Sequence, residues 1–256
     1  MSAYEVVPLR AFSDNYIWTI RDRQHAAVVD PGDAAPVLDY LKREKLRLVA
    51  ILNTHHHADH VGGNSALLAH ADVPVYGPVD PRIHEVSQPL SDGDRIRLPH
   101  FDIEFDVIEI PAHTRTHIAF HGSGMLFCGD TLFAVGCGRL FEGTPQQMHD
   151  SLGKLMRLDG DTRVYCGHEY TASNIRFARA AEPSNRALQD LEVVVRRLRE
   201  SDRPTLPSTI AREKATNPFV RCSEPAVVES ASRHAGKPLG DPVSVLAALR
   251  EWKNKF

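Results

Sequence analysis

At 256 residues with 42% hydrophobic content, the chain can bury a sizeable core, as one large domain or as one domain with a smaller appendage. The 30 Lys and Arg against 33 Asp and Glu give a net charge of -3, so no basic excess points to nucleic acid or an anionic membrane, and a small-molecule partner is expected. No apolar run approaches the ~20 residues needed to span a bilayer, and MSAYEVVPLRAF lacks the basic start and apolar stretch of a signal peptide. Cys128, Cys137, Cys166 and Cys222 show no C-x-x-C spacing, so a cytoplasmic protein with reduced thiols is expected.

Short runs rich in Val, Ile and Phe predict strands at YEVVPL, YIWTI, HAAVVD, LRLVAIL, FDIEFDVIEI, HIAFHG, MLFCGD and TRVYCG. Helical patterns interrupt them at AAPVLDYLKREK, NSALLAHA and TPQQMHDSLGKLMRL, the last with Thr144 as N-cap and Pro145 at the first helical position. Strands and helices mixed on this scale imply a layered sheet-and-helix domain. Near residue 170 the strands mostly stop. Ser184 is expected to cap a helix reaching about Glu200, whose Leu188, Leu191, Val195 and Leu198 follow helical spacing. Asp241 and Pro242 open another, with Val245, Leu246, Leu249 and Trp252 in one stripe and Arg250 and Lys253 side by side on a neighbouring face. The expected division is a first domain over 1–170 and a smaller, mainly helical one over 171–256.

The stretch NTHHHADHVGG crowds four histidines and an aspartate into six positions where a buried strand gives way to a helix. Loops held by a rigid scaffold commonly carry reactive ligands. In an extended loop residues two apart point the same way, so His55 and His57 can grip one cation while His56 points elsewhere, and Asp59 and His60 face a second point. A structural zinc usually enlists cysteine and closes its shell with four protein ligands; a His/Asp set suits zinc, iron or manganese and leaves room for water, which favours catalysis. Three further strands each deliver a polar residue at their exit: His113 after FDIEFDVIEI, Asp130 after MLFCG and His168 after TRVYCG.

THHHADH, His113, Asp130 in CGDTLF and His168 in CGHEY together resemble the binuclear metallo-β-lactamase superfamily. Within it, GCGRLFEGT at 136–144, NPF at 217–219 and the C-terminal DPVSVLAALREWKNK resemble glyoxalase II, the hydroxyacylglutathione hydrolases. The resemblance implies an α+β fold, an αββα sandwich with metals at one sheet edge and a smaller C-terminal helical domain that binds glutathione. It assigns one divalent metal to His55, His57 and His113 and the other to Asp59, His60 and His168, with Asp130 bridging; zinc is the first expectation, iron or manganese the alternatives. Asp59 and Asp130 thereby support a metal-bridging hydroxide that attacks the thioester of S-D-lactoylglutathione and yields D-lactate and glutathione. Arg139, Arg250 and Lys253 match the family's basic positions and Tyr170 its aromatic donor. Phe141 stands where some members carry tyrosine and lacks that hydroxyl.

Asp30 in VVDPGD either orients a metal-bound histidine or caps a turn. His56 and His117 have no assigned role, and His25, His70, His84, His100, His121, His149 and His234 are expected at the surface. Cys137 has no base beside it and is not read as a nucleophile. Three rivals are distinguishable. A mononuclear iron dioxygenase acting on glutathione persulfide would hold one metal and consume oxygen. A nucleic-acid processing relative would bind RNA in a salt-dependent way. A protein using metal only for stability would unfold on metal removal. The expected protein is a monomer.

Overall fold

The computed structural model describes residues 4–256; residues 1–3, the start of the segment read above for a leader, lie outside the described residues. Two compact units form, one running up to Glu109 with Thr116–Gly129, the other made of Ile110–Arg115 with Asp130–Phe256.

The first unit contains β1 (Glu5–Ala11), β2 (Asn15–Arg21), β3 (His25–Val29), α1 (Ala34–Glu44), β4 (Arg47–Leu52), α2 (Ala58–Val61), α3 (Asn64–His70), β5 (Val75–Pro78), β6 (Gln88–Leu90), β7 (Arg95–Arg97), β8 (Glu104–Glu109), β9 (Ile118–Gly122) and β10 (Met125–Gly129). Strands β1 to β6 form one sheet in sequence order. It is antiparallel from β1 to β3 and parallel from β3 to β6. The parallel strands read as continuous apolar runs because both their faces are covered: Ala26, Ala27, Val28, Ala50, Ile51 and Leu52 are all fully buried.

Asp33 caps α1 by accepting from the Ala35 N–H at 2.9 Å, and the helix ends at Lys45 in the left-handed region. Its Val37, Tyr40 and Leu41 pack with Leu67 of α3 against Leu9, Ile17, Val28 and Ile51 of the sheet. Each such apolar side chain taken out of water contributes roughly 1.5–3 kcal/mol. In the second layer β10, β9, β8 and β7 are antiparallel neighbours. Phe105, Phe120 and Phe127 are fully buried there, with Phe105 edge-on to the other two at 6.3 and 5.8 Å.

The second unit contains β11 (Leu132–Phe133), β12 (Gly136–Cys137), α4 (Pro145–Leu155), β13 (Arg163–Cys166), α5 (Thr171–Ala181), α6 (Arg186–Glu200), β14 (Ser208–Thr209), α7 (Ile210–Thr216), a 3-10 turn (Pro218–Val220), α8 (Pro225–Ala235) and α9 (Pro242–Lys255). Thr144 caps α4 with Pro145 in its first turn, as the sequence predicts, and Gln147 completes a reciprocal capping box with Thr144. Asp241 caps α9 through its side chain alone, accepting from Val243 and Ser244 N–H at 3.0 Å. The cap of α6 is Asn185 rather than Ser184. Its side-chain oxygen accepts from Leu188 N–H at 3.0 Å while its amide donates to Glu182 and to the Ala215 carbonyl, a two-ended bridge that serine cannot build. Leu188 and Val195 of α6 pack on Ile175 and Ala178 of α5 and on Val135.

Sheet layers with flanking helices and a helical C-terminal region agree with the expected α+β class. Strands β5, β6, β7, β11, β12 and β14, of two to four residues each, had no visible period. His25 is a correction to the surface assignment. It is buried as the first residue of β3, with Nδ1 3.1 Å from Asp22 Oδ2 and Nε2 2.8 Å from Arg47 Nη2. Arginine only donates, so Nε2 is the acceptor of that contact. His121 and His149 are half-buried, and the remaining four of that group are exposed. The four cysteines are buried thiols without disulfides. Among the described residues no helix is long and apolar enough to cross a membrane.

Candidate metal centre

In the first unit the carboxyl ends of parallel strands β3 and β4 deliver Asp30 and the His55 loop. Asp30 adopts a left-handed backbone with φ 53°, which aspartate tolerates, and its side chain is 5% exposed. Oδ1 accepts from Thr54 N–H at 2.7 Å; Oδ2 accepts from Thr54 Oγ1 at 2.6 Å and from His60 Nδ1 at 3.0 Å. Since the Thr54 hydroxyl hydrogen goes to Asp30, Thr54 Oγ1 receives His55 Nδ1–H at 3.0 Å. One carboxylate therefore fixes the tautomers of two histidines and leaves both Nε2 atoms as lone pairs. Asp30 is thus an orienting acceptor, although Asp30, His55 and His60 also lie close enough together to resemble a ligand group. Its two oxygens are committed to Thr54 and His60.

Both lone pairs face a further ligand candidate, and for His60 that neighbour is itself an acceptor. His55 Nε2 lies 3.1 Å from His57 Nδ1, and His60 Nε2 lies 3.6 Å from Asp59 Oδ2. Asn15 Nδ2 donates to Asp59 Oδ2 at 3.0 Å, and Asn53 Nδ2 donates to the His60 carbonyl at 3.2 Å. Gly32 leaves room for this loop, because a Cβ there would sit 1.9 Å from the Asp59 carbonyl oxygen. His117 stacks on His55 with centroids 4.5 Å apart, and His56 turns away with Nδ1 3.6 Å from Asp80 Oδ2. Thr116 donates to Asp80 at 2.5 Å, and Arg82 Nη2 donates to it at 2.7 Å. Burial opposes ionisation of Asp80, but these donors outweigh it and hold its carboxyl well below the usual range.

In the second unit Asp130 follows β10 directly and faces two imidazoles, with Oδ2 3.5 Å from His113 Nε2 and 3.3 Å from His168 Nε2. His113 Nδ1 donates to the Arg139 carbonyl at 2.9 Å, so its lone pair also lies on Nε2. Acceptor against acceptor is repulsive unless a cation lies between them. The donor chemistry therefore fits metal ions, and these side chains form His/Asp clusters of the kind that hold them. Gly138 is required here, since a Cβ would meet the Asp130 carbonyl oxygen at 1.9 Å. Tyr170 stacks on His168 with centroids 4.7 Å apart, and Phe133 stands edge-on to both. Phe141 is 60% exposed with its edge on His113, and Arg139 is exposed.

Arg250 and Lys253 do not form a solvated face. Arg250 is 5% exposed, its Nη1 donating to the Cys137 carbonyl at 2.7 Å while Nε has no hydrogen-bond partner among the described residues. Lys253 Nζ lies over the Phe177 and Phe219 rings and reaches Asn174 Oδ1. Burial, with Arg250 beside it, lowers the Lys253 ammonium to about 7. Among the described residues neither side chain is paired with a carboxylate; the contacts of Arg250 and Lys253 are the Cys137 carbonyl, Asn174 and the two phenylalanine rings. The sequence reading missed Asn15, Thr54 and Asp80 on the metal loops and Asn174 beside Lys253. Their polar types carry no spacing signal.

Residues 11–168 match the metallo-beta-lactamase superfamily, and residues 169–256 match the hydroxyacylglutathione hydrolase C-terminus. A hydroxyacylglutathione hydrolase from Nitrosomonas europaea is 56% identical over 251 residues, covering 98% of this chain and 96% of that protein. The crystal structure of ETHE1 from Myxococcus xanthus shares the fold with a TM-score of 0.65 at 24% identity, covering 98% of this chain and 97% of that one. The crystal structure of TTHA1623 in a di-iron-bound form gives a TM-score of 0.59 at 26% identity, covering 84% and 99%.

Proposed function

The chain belongs to the hydroxyacylglutathione hydrolase family of the metallo-beta-lactamase superfamily, and from that membership we propose that it hydrolyses S-D-lactoylglutathione to D-lactate and glutathione, the second step of methylglyoxal detoxification. The observation that carries this reading is that one chain joins the superfamily's metal-binding region to the hydrolase's own C-terminal region and keeps 56% identity to such a hydrolase along nearly its full length. Residues 1–170 act as the catalytic domain and residues 171–256 as the glutathione-binding domain.

His55, His57 and His113 would hold one divalent ion and Asp59, His60 and His168 the other, with Asp130 as a ligand available to both. Zinc is the first choice and iron or manganese the alternatives; a relative of this fold in a di-iron-bound form supports a two-ion site. When bound, the ions supply Lewis acidity to the thioester carbonyl and acidify the water that attacks it. Asp30, acting on His60 directly and on His55 through Thr54, keeps the Nε2 lone pairs available. The Arg139 carbonyl does the same for His113. Asp59 and Asp130 are the carboxylates at the reacting centre.

Arg250 and Lys253 receive the carboxylates of glutathione, with Arg139 as a third, exposed cation and Tyr170 as a hydroxyl donor. Phe141 offers that substrate an apolar surface. The leaving group is a thiolate whose conjugate acid has a pKa of ~8.5, so departure needs no protonating side chain. The protein acts as a cytoplasmic monomer and binds neither nucleic acid nor membrane.

The test is product analysis with purified protein. One D-lactate and one free thiol should appear per thioester consumed, without oxygen uptake and without cleavage of added RNA. Folded, metallated protein that spares the thioester and consumes oxygen with glutathione persulfide would overturn the reading.

A further inference from the structure

The hairpin formed by β11 and β12 carries an anomaly. Val135, at its turn, has φ 59°, a left-handed backbone that a β-branched side chain resists. Four consecutive residues of this hairpin are held by side chains from the helical region. Val135 N–H donates to Glu213 Oε2 at 2.8 Å. Asn217 Nδ2 donates to the Gly136 carbonyl at 2.9 Å and to the Phe133 carbonyl at 3.3 Å, and Asn174 Nδ2 donates to the Ala134 carbonyl at 2.9 Å. Glu213 is itself fully buried, and it also accepts from Asn217 Nδ2 at 2.9 Å and from the Ser208 hydroxyl. A buried carboxylate is costly, and an apolar residue would fill the space more cheaply.

The clamped segment lies between two residues that bear on metal-ligand candidates. Asp130 precedes it and faces His113 and His168; Arg139, which follows it, offers its carbonyl to His113 Nδ1–H; Phe133 within it packs edge-on to His168 at 5.8 Å. We propose that Glu213, together with Asn217, is a positioning residue that holds the Phe133–Gly136 turn in its strained form and thereby sets Asp130, His113 and His168 for metal binding. This rests on the metal-dependent reading above, but its test does not use hydrolysis.

The measurement is zinc affinity by chelator competition, with the visible spectrum of the cobalt-substituted protein, for wild type, Glu213→Met and Glu213→Gln. Methionine fills the volume and accepts no strong hydrogen bond. Glutamine keeps an oxygen for Val135 N–H and Asn217, while its amide donates to a reoriented Ser208 hydroxyl. Glu213→Met should bind zinc at least about tenfold more weakly with an altered cobalt spectrum, and Glu213→Gln should recover to within about threefold. A folded Glu213→Met protein with wild-type affinity and spectrum overturns the proposal.

Should Glu213→Met not fold, hydrogen exchange on the wild type decides. Zinc loading should slow exchange of the Val135 amide about tenfold more than that of Val195 in α6; equal slowing overturns the proposal. Wild-type protein that binds zinc but leaves the thioester intact would instead remove the hydrolase reading while these comparisons stand.

Discussion

Replacing Asp30 with asparagine changes one oxygen for an amino group in a site whose hydrogen-bond directions are fully determined. Asparagine Oδ1 can still accept Thr54 N–H, but Nδ2 then points at Thr54 Oγ1 and His60 Nδ1, which stand 2.6 and 3.0 Å from the native oxygen. To avoid donor against donor, Thr54 must accept and turn its hydrogen to His55, and His60 Nδ1 must become the lone pair. Both rings then carry hydrogen on Nε2, the atoms needed for ligation. Loss of such an outer partner weakens metal binding by about 10–100-fold, or ~1.4–2.8 kcal/mol. Exchanging a charge-assisted bond for a neutral one removes about 1 kcal/mol more from the metal-free fold. Chelator competition measures the first effect and denaturant unfolding of apo-protein the second, while imidazole nitrogen shifts report the tautomers directly. An Asp30→Asn protein that keeps Nδ1–H tautomers and wild-type affinity would refute this chain of reasoning.

Gly138→Ala forces a Cβ to within 1.9 Å of the Asp130 carbonyl oxygen, so it should destabilise by ~1–3 kcal/mol and lower metal content; an unchanged melting temperature with full metal loading contradicts this. Burial pushes the Cys222 thiol up to about 12 and raises Cys137 and Cys166 as well, so native protein at pH 8 should react with a thiol reagent only as it unfolds. Rapid labelling would count against the buried placement. Lys253 falls from 10.5 to about 7 on folding, so between those values the unfolded state binds more protons and stability should rise with pH; Lys253→Met should flatten the rise in denaturant midpoints, and an undiminished slope would assign it elsewhere. Arg250→Met should raise KM for the glutathione thioester by tenfold or more with a smaller effect on kcat; an unchanged KM removes Arg250 from substrate binding.

The ligand loop was legible because it is local: H-x-H-x-D-H concentrates its chemistry in six residues. The exits of β8, β10 and β13 were legible because each strand pattern is followed within four residues by a histidine or an aspartate: His113, Asp130 and His168. Asp30 was visible as a strand-end carboxylate, but its partners Thr54 and His60 lie 24 and 30 residues away, and only the fold brings them to its two oxygens. The strain at Val135 left no trace in sequence, since valine there reads as an ordinary strand residue. Glu213 and Asn217 reach the hairpin across 78 and 81 residues, distances at which spacing carries no information. His25 looked like a surface histidine because its burial depends on Arg47 of the neighbouring strand and on Asp22. Ser184 and Asn185 are both good caps, and the choice between them is made by Glu182 and Ala215 on the far side of the amide.

In the proposed mechanism, Asp130 is the carboxylate on which a two-ion thioesterase site depends. The most direct measurement is turnover of S-D-lactoylglutathione by wild type and Asp130→Ala, each with its metal content determined on the same sample. Wild type should hold close to two ions per chain and turn over rapidly, while the variant stays folded, loses metal and falls in kcat/KM by orders of magnitude. Equal turnover by the two proteins would remove Asp130 from catalysis, and a fully loaded wild type that leaves the thioester uncleaved would remove the thioesterase assignment.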